Sequence, residues 1–392
     1  MKKIKTLLHK AIYHFARLLV SPVLKARYSF QTDKLPELGE PYILLSNHTT
    51  EIDMLFVGMA SKKHMYFVCG EHLLRNRHYG KLLRWLADPI PIPKGGASLK
   101  AIREILARIK AGHNVMMFPE GKRSFHGETI PAGKATGGLV QKAGCALVTY
   151  RIRGGYFVYP RWARAHQRRG HIEGRVVGVY SSRELASMTA QEITDIINRD
   201  TYENAYATQR EKMWLYKGKD RAACMEHYLF ICPSCGAFDS IQSSGDDFHC
   251  SACGMSGFYD DYGFLRGEGL PYDNVLDWGR WIEKVFDERV SGQQEELLFV
   301  EKAVQLYRML DDYRNQDIMI GDLYLYRDRM MLGEYKFSFD EISALSMLYG
   351  NILLFTHGDS YFGMTGDRFR AWKCGRLWHL CKGDTEDKTK EL

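Results

Sequence analysis

The chain has 392 residues, of which 45% are hydrophobic, 12% aromatic and 26% charged, with a formal net charge of +7. That composition excludes a disordered or low-complexity chain, and the length suits two or three domains. The charge is uneven: residues 1–217 hold 35 Lys and Arg against 17 Asp and Glu, a net of +18, whereas residues 218–392 hold 19 against 30, a net of −11. A polyanion, whether anionic lipid, nucleic acid or phosphorylated substrate, therefore belongs with the first half.

The first predicted element is a basic amphipathic helix over residues 1–28. Leu7, Leu8, Ala11, Ile12, Phe15, Leu18 and Leu19 recur at helical spacing among Lys2, Lys3, Lys5, Lys10 and Arg17, with no acid before Asp33. It carries too many charges to span a bilayer. It is suited to lie in the plane of an anionic leaflet, although the same pattern also serves a helix packed on its own domain. Pro22 is expected to end it. Strands follow at Tyr42–Leu45, 65–69, 114–118, 146–152 and 175–180, with helices between them, near 54–60, 79–86, 99–110 and from Gly133. This alternation predicts an α/β domain with a largely parallel sheet and flanking helices. Thr189 and Glu192 form a capping-box signature opening a helix to about Met213.

Beyond residue 217 the character changes. Cys232-Pro-Ser-Cys235-Gly and Cys250-Ser-Ala-Cys253-Gly are two C-x-x-C-G knuckles, with fourteen residues between them. With nine cysteines and no signal-like N-terminus, thiolate ligation fits better than disulfides. Four thiolates complete a tetrahedron, so the expected zinc is structural. Residues 218–262 are thus expected to form a zinc ribbon and 263–317 a helical linker. Residues 318–382 are expected to form a small antiparallel module of pleckstrin-homology-like outline with a C-terminal helix, and 383–392 a charged tail. The acidic balance of this half argues against nucleic acid as a partner.

Two segments of the first half carry chemistry. Asn47-His48-Thr-Thr-Glu-Ile-Asp53 places an imidazole and a carboxylate around a strand-to-helix turn. A paired carboxylate fixes the tautomer and leaves Nε2 as a base. Phe118-Pro119-Glu120-Gly121-Lys122-Arg123-Ser124 ends a strand and delivers two cations, of which Arg123 offers a rigid fork for phosphate. Between them, Ile90-Pro-Ile-Pro-Lys94 supplies a further cation.

In this order and spacing the segments resemble the bacterial 1-acylglycerol-3-phosphate acyltransferase family, whose marks are N-H-x4-D and F-P-E-G-x-R-S. The resemblance covers residues 1–217, and the rest resembles an extension of a Gram-positive subgroup. It implies that His48 is the general base oriented by Asp53, that Arg123 and Lys94 grip the acceptor phosphate, and that Glu120 and Gly121 shape the acceptor site. It further implies an acyl-CoA or acyl carrier protein donor, a lysophospholipid acceptor, and peripheral attachment to the cytoplasmic face of the membrane. Lysine stands at 94 where the family usually has arginine, and the strand after the second motif has no Val-Pro pair. Arg151, Arg153, Arg161, Arg164, Arg168 and Arg169 are candidates to replace lost phosphate contacts or to face lipid. These departures leave open a non-catalytic lipid-binding scaffold acting through its zinc ribbon and C-terminal module.

Overall fold

The short apolar runs of the first half meet in one sheet. The structure, a computed structural model, describes residues 2–74, 80–92, 99–163, 167–292, 296–310 and 315–383. It divides into two units, Met1–Val158 with Arg169–Tyr216, and Tyr159–Arg168 with Lys217–Lys388.

In the first unit, helix α1 (Lys2–Tyr28) precedes strands β1 (Gln31–Thr32) and β2 (Tyr42–Ser46). Helix α2 (Asp53–Ala60), β3 (Met65–Gly70), α3 (Gly80–Ala87) and β4 (Ile90–Ile92) follow. Then come α4 (Leu99–Lys110), β5 (Asn114–Met117), α5 (Lys134–Ala143), β6 (Ala146–Arg153) and β7 (Glu173–Tyr180). The sheet order is β1-β7-β6-β2-β5-β3-β4. Every pairing is parallel except β6 with β7, which makes the sheet mixed. Ile43, Leu44 and Leu45 of β2 are wholly buried, as expected of a strand covered on both faces. Ala101, Ile105 and Ile109 of α4 pack against one of those faces at i, i+4, i+8 spacing.

Two helix ends differ from expectation. Helix α1 runs through Pro22 to Tyr28. Buried Leu24 and Tyr28 hold its last turn to the domain, and that packing outweighs one missing hydrogen bond. The helix opened by the Thr189/Glu192 capping box stops at Thr201 as α6 (Ala190–Thr201), and Asn204 caps a second helix, α7 (Ala205–Lys212).

Helix α1 docks through its polar side: His9 Nε2 lies 3.0 Å from the Trp85 carbonyl, Tyr13 donates to the Gly58 carbonyl at 2.7 Å, and Arg17 to that of Met59 at 3.2 Å. Leu8, Phe15, Leu18, Leu19 and Val23 are left exposed, beside Leu82 and Trp85 of α3. No helix among the described residues is long and apolar enough to cross a membrane.

The second unit holds two antiparallel sheets. Strands β8 (Ile241–Ser244), β9 (Asp247–Cys250), β10 (Ser256–Tyr259) and β11 (Leu265–Arg266) form one. Helix α8 (Val275–Gly292) follows, with Trp278, Ile282 and Phe286 buried on one side. The expected helical linker to residue 317 is corrected here, because strand β12 (Leu297–Met309) lies within it. Val304 and Leu306 are buried two residues apart, the strand period, after a register shift between Glu301 and Val304. Strands β13 (Asn315–Tyr326), β14 (Arg329–Leu332), β15 (Tyr335–Ser338), β16 (Ile342–Leu348), β17 (Ile352–His357) and β18 (Ser360–Thr365) complete a sheet ordered β15-β14-β13-β12-β18-β17-β16. Helix α9 (Ala371–Cys381) closes the unit. Its Lys373 is fully buried and reaches Asp239 at 2.7 Å and Glu301 at 2.7 Å.

Candidate active site

The sheet brings the two chemical segments together because β2 and β5 are parallel neighbours, with Leu45 opposite Met117. His48 follows the end of β2 and Phe118 the end of β5, so both loops open at the carboxyl edge of the sheet. On the other side of β2 is β6. Asn47 brackets its backbone, donating to the Ile152 carbonyl at 2.8 Å and accepting from the Ile152 N–H at 2.7 Å. The residue before the histidine is therefore a rigid anchor for the loop.

Asp53 opens α2 and is fully buried. Its Oδ2 lies 3.0 Å from His48 Nδ1 and accepts from the backbone N–H groups of Thr49 and Thr50, the latter at 2.8 Å. Its Oδ1 accepts from the Thr49 and Thr50 hydroxyls at 3.0 and 2.7 Å. A carboxylate so placed accepts only, so Nδ1 is the donor and Nε2 of His48 keeps its lone pair. The ring itself stacks on Phe118, with centroids 4.1 Å apart and planes 9° from parallel. Carboxylate and stack together fix the imidazole's rotation, and the side chain remains 23% exposed.

Glu120 turns inward. Its Oε1 accepts from the His48 N–H, and its Oε2 from the Ile130 N–H at 2.9 Å. It thus ties the histidine loop to the segment after the second motif. Burial pushes its carboxyl up to about 8, while the two N–H donors pull the other way. Gly121 has φ +67°, the left-handed conformation that only glycine adopts freely. That turn brings Arg123 back towards the histidine loop, where its Nη2 meets Glu51 Oε1 at 3.1 Å.

His48, Asp53, Glu120, Gly121 and Arg123 are therefore gathered at one edge of the sheet. Lys94 lies outside the described residues. The other arginines mostly serve the fold. Arg151 donates to the Asp200 carbonyl, Arg153 pairs with Glu173 and Glu203, Arg161 donates to the Met347 carbonyl, and buried Arg168 donates to the Arg221 carbonyl. Arg151, Arg153, Arg161 and Arg168 thus each make contacts within the fold; Arg164 lies outside the described residues. Sequence reading missed the contacts of Asn47, the Phe118 stack and the Thr49/Thr50 clamp. The clamp had a signal: two threonines three and four residues before an aspartate can satisfy it locally.

A family profile described as Acyltransferase matches residues 27–153, a span that encloses this whole cluster. Residues 27–153 are thus similar to acyltransferase domains. A curated relative, the 1-acyl-sn-glycerol-3-phosphate acyltransferase of Streptococcus pneumoniae (strain ATCC BAA-255 / R6), is 32% identical over 121 residues, which is 30% of this chain and 45% of that protein. The match thus spans less than half the length of the relative. Among solved structures, the 1-acyl-sn-glycerophosphate (LPA) acyltransferase PlsC from Thermotoga maritima is 16% identical at a TM-score of 0.37, over 51% of this chain and 96% of that one.

The second unit carries a cysteine cluster. The thiols of Cys232, Cys235, Cys250 and Cys253 all lie within 4.8 Å of one another. Cys232 and Cys253 are 3.7 Å apart, and Cys235 and Cys250 3.8 Å. A tetrahedron with metal–sulfur bonds of about 2.3 Å has edges of about 3.8 Å, so this donor set fits a single thiophilic ion. Each knuckle closes with a glycine N–H donating to the carbonyl of its first cysteine, at 2.9 Å for Gly236 and 3.0 Å for Gly254.

Proposed function

We propose that this protein is a membrane-surface O-acyltransferase, moving a fatty acyl group from a CoA or acyl carrier protein thioester to the hydroxyl of 1-acylglycerol 3-phosphate or a related lysophospholipid. The observation that carries the reading is the His48–Asp53 pair, with a saturated, buried carboxylate behind a partly open imidazole. The acceptor hydroxyl oxygen attacks the thioester carbonyl carbon while His48 Nε2 takes the hydroxyl proton. Asp53 stabilises the imidazolium. Collapse of the tetrahedral intermediate breaks the carbon–sulfur bond, and the imidazolium returns the proton to the departing thiolate. Arg123 receives the acceptor phosphate.

The exposed stripe Leu8, Phe15, Leu18, Leu19 and Val23, continued by Leu82 and Trp85, supports docking on a bilayer. Its occupant is an anionic membrane surface, because the same unit carries the chain's excess of positive charge. The four cysteines hold structural zinc in this reading. All four positions are taken by protein, so no catalytic step passes through the metal.

An acyl-transfer assay with radiolabelled donor tests the reading. Purified protein is offered lysophosphatidate, glycerol 3-phosphate and neutral lysolipids, with both donor types. Transfer by wild type and none by His48→Ala is the expected result. Equal turnover by the two overturns the mechanism.

A further inference from the structure

Three acidic side chains belong to or meet the histidine loop, and two of them are used up. Asp53 is buried and saturated, and Glu120 is held by two backbone N–H groups. The third, Glu51, sits on the same loop with its side chain 42% exposed, and its Oε1 is 3.1 Å from Arg123 Nη2. No contact of His48 or Asp53 described above runs through Glu51. Arg123 itself is only 9% exposed, so its guanidinium is reached from few directions.

We infer that Glu51 is a specificity-determining residue that competes with the acceptor's phosphate for Arg123. The inference rests on the phosphate-binding role proposed for Arg123. A phosphate and the Glu51 carboxylate are both anionic acceptors, and both cannot hold the same edge of one guanidinium. Phosphate wins by its higher charge and its capacity for two parallel bonds. The displaced carboxylate turns to water at little loss, because half-exposed ion pairs contribute weakly. Glu51 therefore weakens the hold on an anionic acceptor, and equally on the product, which keeps its phosphate. It leaves a neutral acceptor, which makes no demand on Arg123, at a relative advantage. In the empty site it also keeps Arg123 aimed at the histidine loop.

The test measures KM and kcat for lysophosphatidate and for a monoacylglycerol of the same chain length, presented in identical mixed micelles. The proteins are wild type, E51Q, R123Q and E51Q/R123Q, each checked for native circular dichroism. Glutamine keeps the shape and removes the charge. E51Q is expected to lower the KM for lysophosphatidate about three- to fivefold, with a smaller effect at 0.5 M than at 0.05 M salt. It is expected to raise selectivity for the anionic acceptor by the same factor. In the R123Q background the E51Q effect disappears. An E51Q enzyme whose KM for lysophosphatidate is unchanged or higher, while R123Q raises that KM, overturns the competition and leaves the phosphate role of Arg123 standing. If R123Q does not raise the lysophosphatidate KM, the phosphate role falls and this inference with it. Inactivity of the wild type on every phosphate-bearing acceptor does the same.

Discussion

His48 Nδ1 lies 3.0 Å from Asp53 Oδ2, and the same carboxylate collects four further hydrogen bonds from Thr49 and Thr50. Asp53 thus holds the loop and the imidazole at once. Asp53→Asn keeps the volume but places an amide against groups that donate. The imidazole then loses its fixed tautomer, and kcat is expected to fall about 10³-fold or more, close to the loss in His48→Ala. Single-turnover acyl transfer measures this. An Asp53→Asn enzyme within tenfold of wild type would show that the carboxylate does not orient the base.

Glu120 gives stability a pH dependence. Burial moves its carboxyl from the ordinary 4.5 to about 8. Between those values the folded protein keeps a proton that the unfolded chain has released. The contribution is therefore complete below pH 4.5 and is lost as pH rises towards 8. Denaturant midpoints for wild type should decline across this window, and those of Glu120→Gln should decline less. Parallel profiles would mean that the side chain ionises freely in the fold.

Helix α1 responds to acid in the opposite sense. His64 stands edge-on to Tyr13 of that helix, with ring centroids 5.5 Å apart. Burial, together with the nearby charges of His9, His113, Lys10 and His14, pushes its pKa from 6.5 to about 4. Here the unfolded chain binds the proton first, so the contribution is complete above pH 6.5 and is lost as pH falls towards 4. Amide exchange in α1, corrected for its intrinsic pH dependence, should accelerate between pH 7 and 5, and less so in His64→Phe.

The exposed stripe of α1 makes a separate prediction. Burying one large aliphatic or aromatic side chain contributes about 1.5–3 kcal/mol. Phe15→Ser with Leu19→Ser should therefore reduce sedimentation with anionic vesicles by at least about tenfold. Circular dichroism should not change, since neither side chain is packed in the domain. Undiminished vesicle binding would remove this face from the membrane reading.

The candidate site was legible in the sequence because its residues lie in two short segments. Strand β2 and strand β5 were both visible as apolar runs, and a largely parallel sheet of this kind places their loops side by side. What escaped was long-range. Nothing local in Asn47 says that it will bracket Ile152, 105 residues away. Nor does the pattern of α1 say which face meets the domain. The same apolar stripe served either a membrane or the domain core, and it is His9, Tyr13 and Arg17 that make contacts with the domain by reaching backbone carbonyls. Strand β12 was hidden by its neighbour, because α8 has so regular a helical stripe that the reading ran on past Gly292. The cysteine knuckles were the easiest feature to place, since spacing alone brings each pair together.

The buried ammonium of Lys373 ties this second unit together. It reaches Asp239, four residues after the first knuckle, and Glu301 on β12, while Glu301 also accepts from the Arg370 N–H at 3.0 Å. Lys373→Met removes the nearer counter-charge of buried Glu301, leaving Arg370 Nη1 at 3.9 Å, and is expected to destabilise the unit by about 3 kcal/mol. Glu301→Gln in the same background removes the under-compensated charge and should recover part of that loss. Asp239 links the cluster to the knuckle, so if the four cysteines hold zinc as proposed, chelating it should act on the same structure. Strand β12 and helix α9 should then lose amide protection together, with release of one zinc ion per chain measured by a chromogenic chelator. Zinc release that leaves β12 and α9 fully protected would show that the ribbon folds independently of the sheet, and the two sets of substitutions would then be additive rather than coupled.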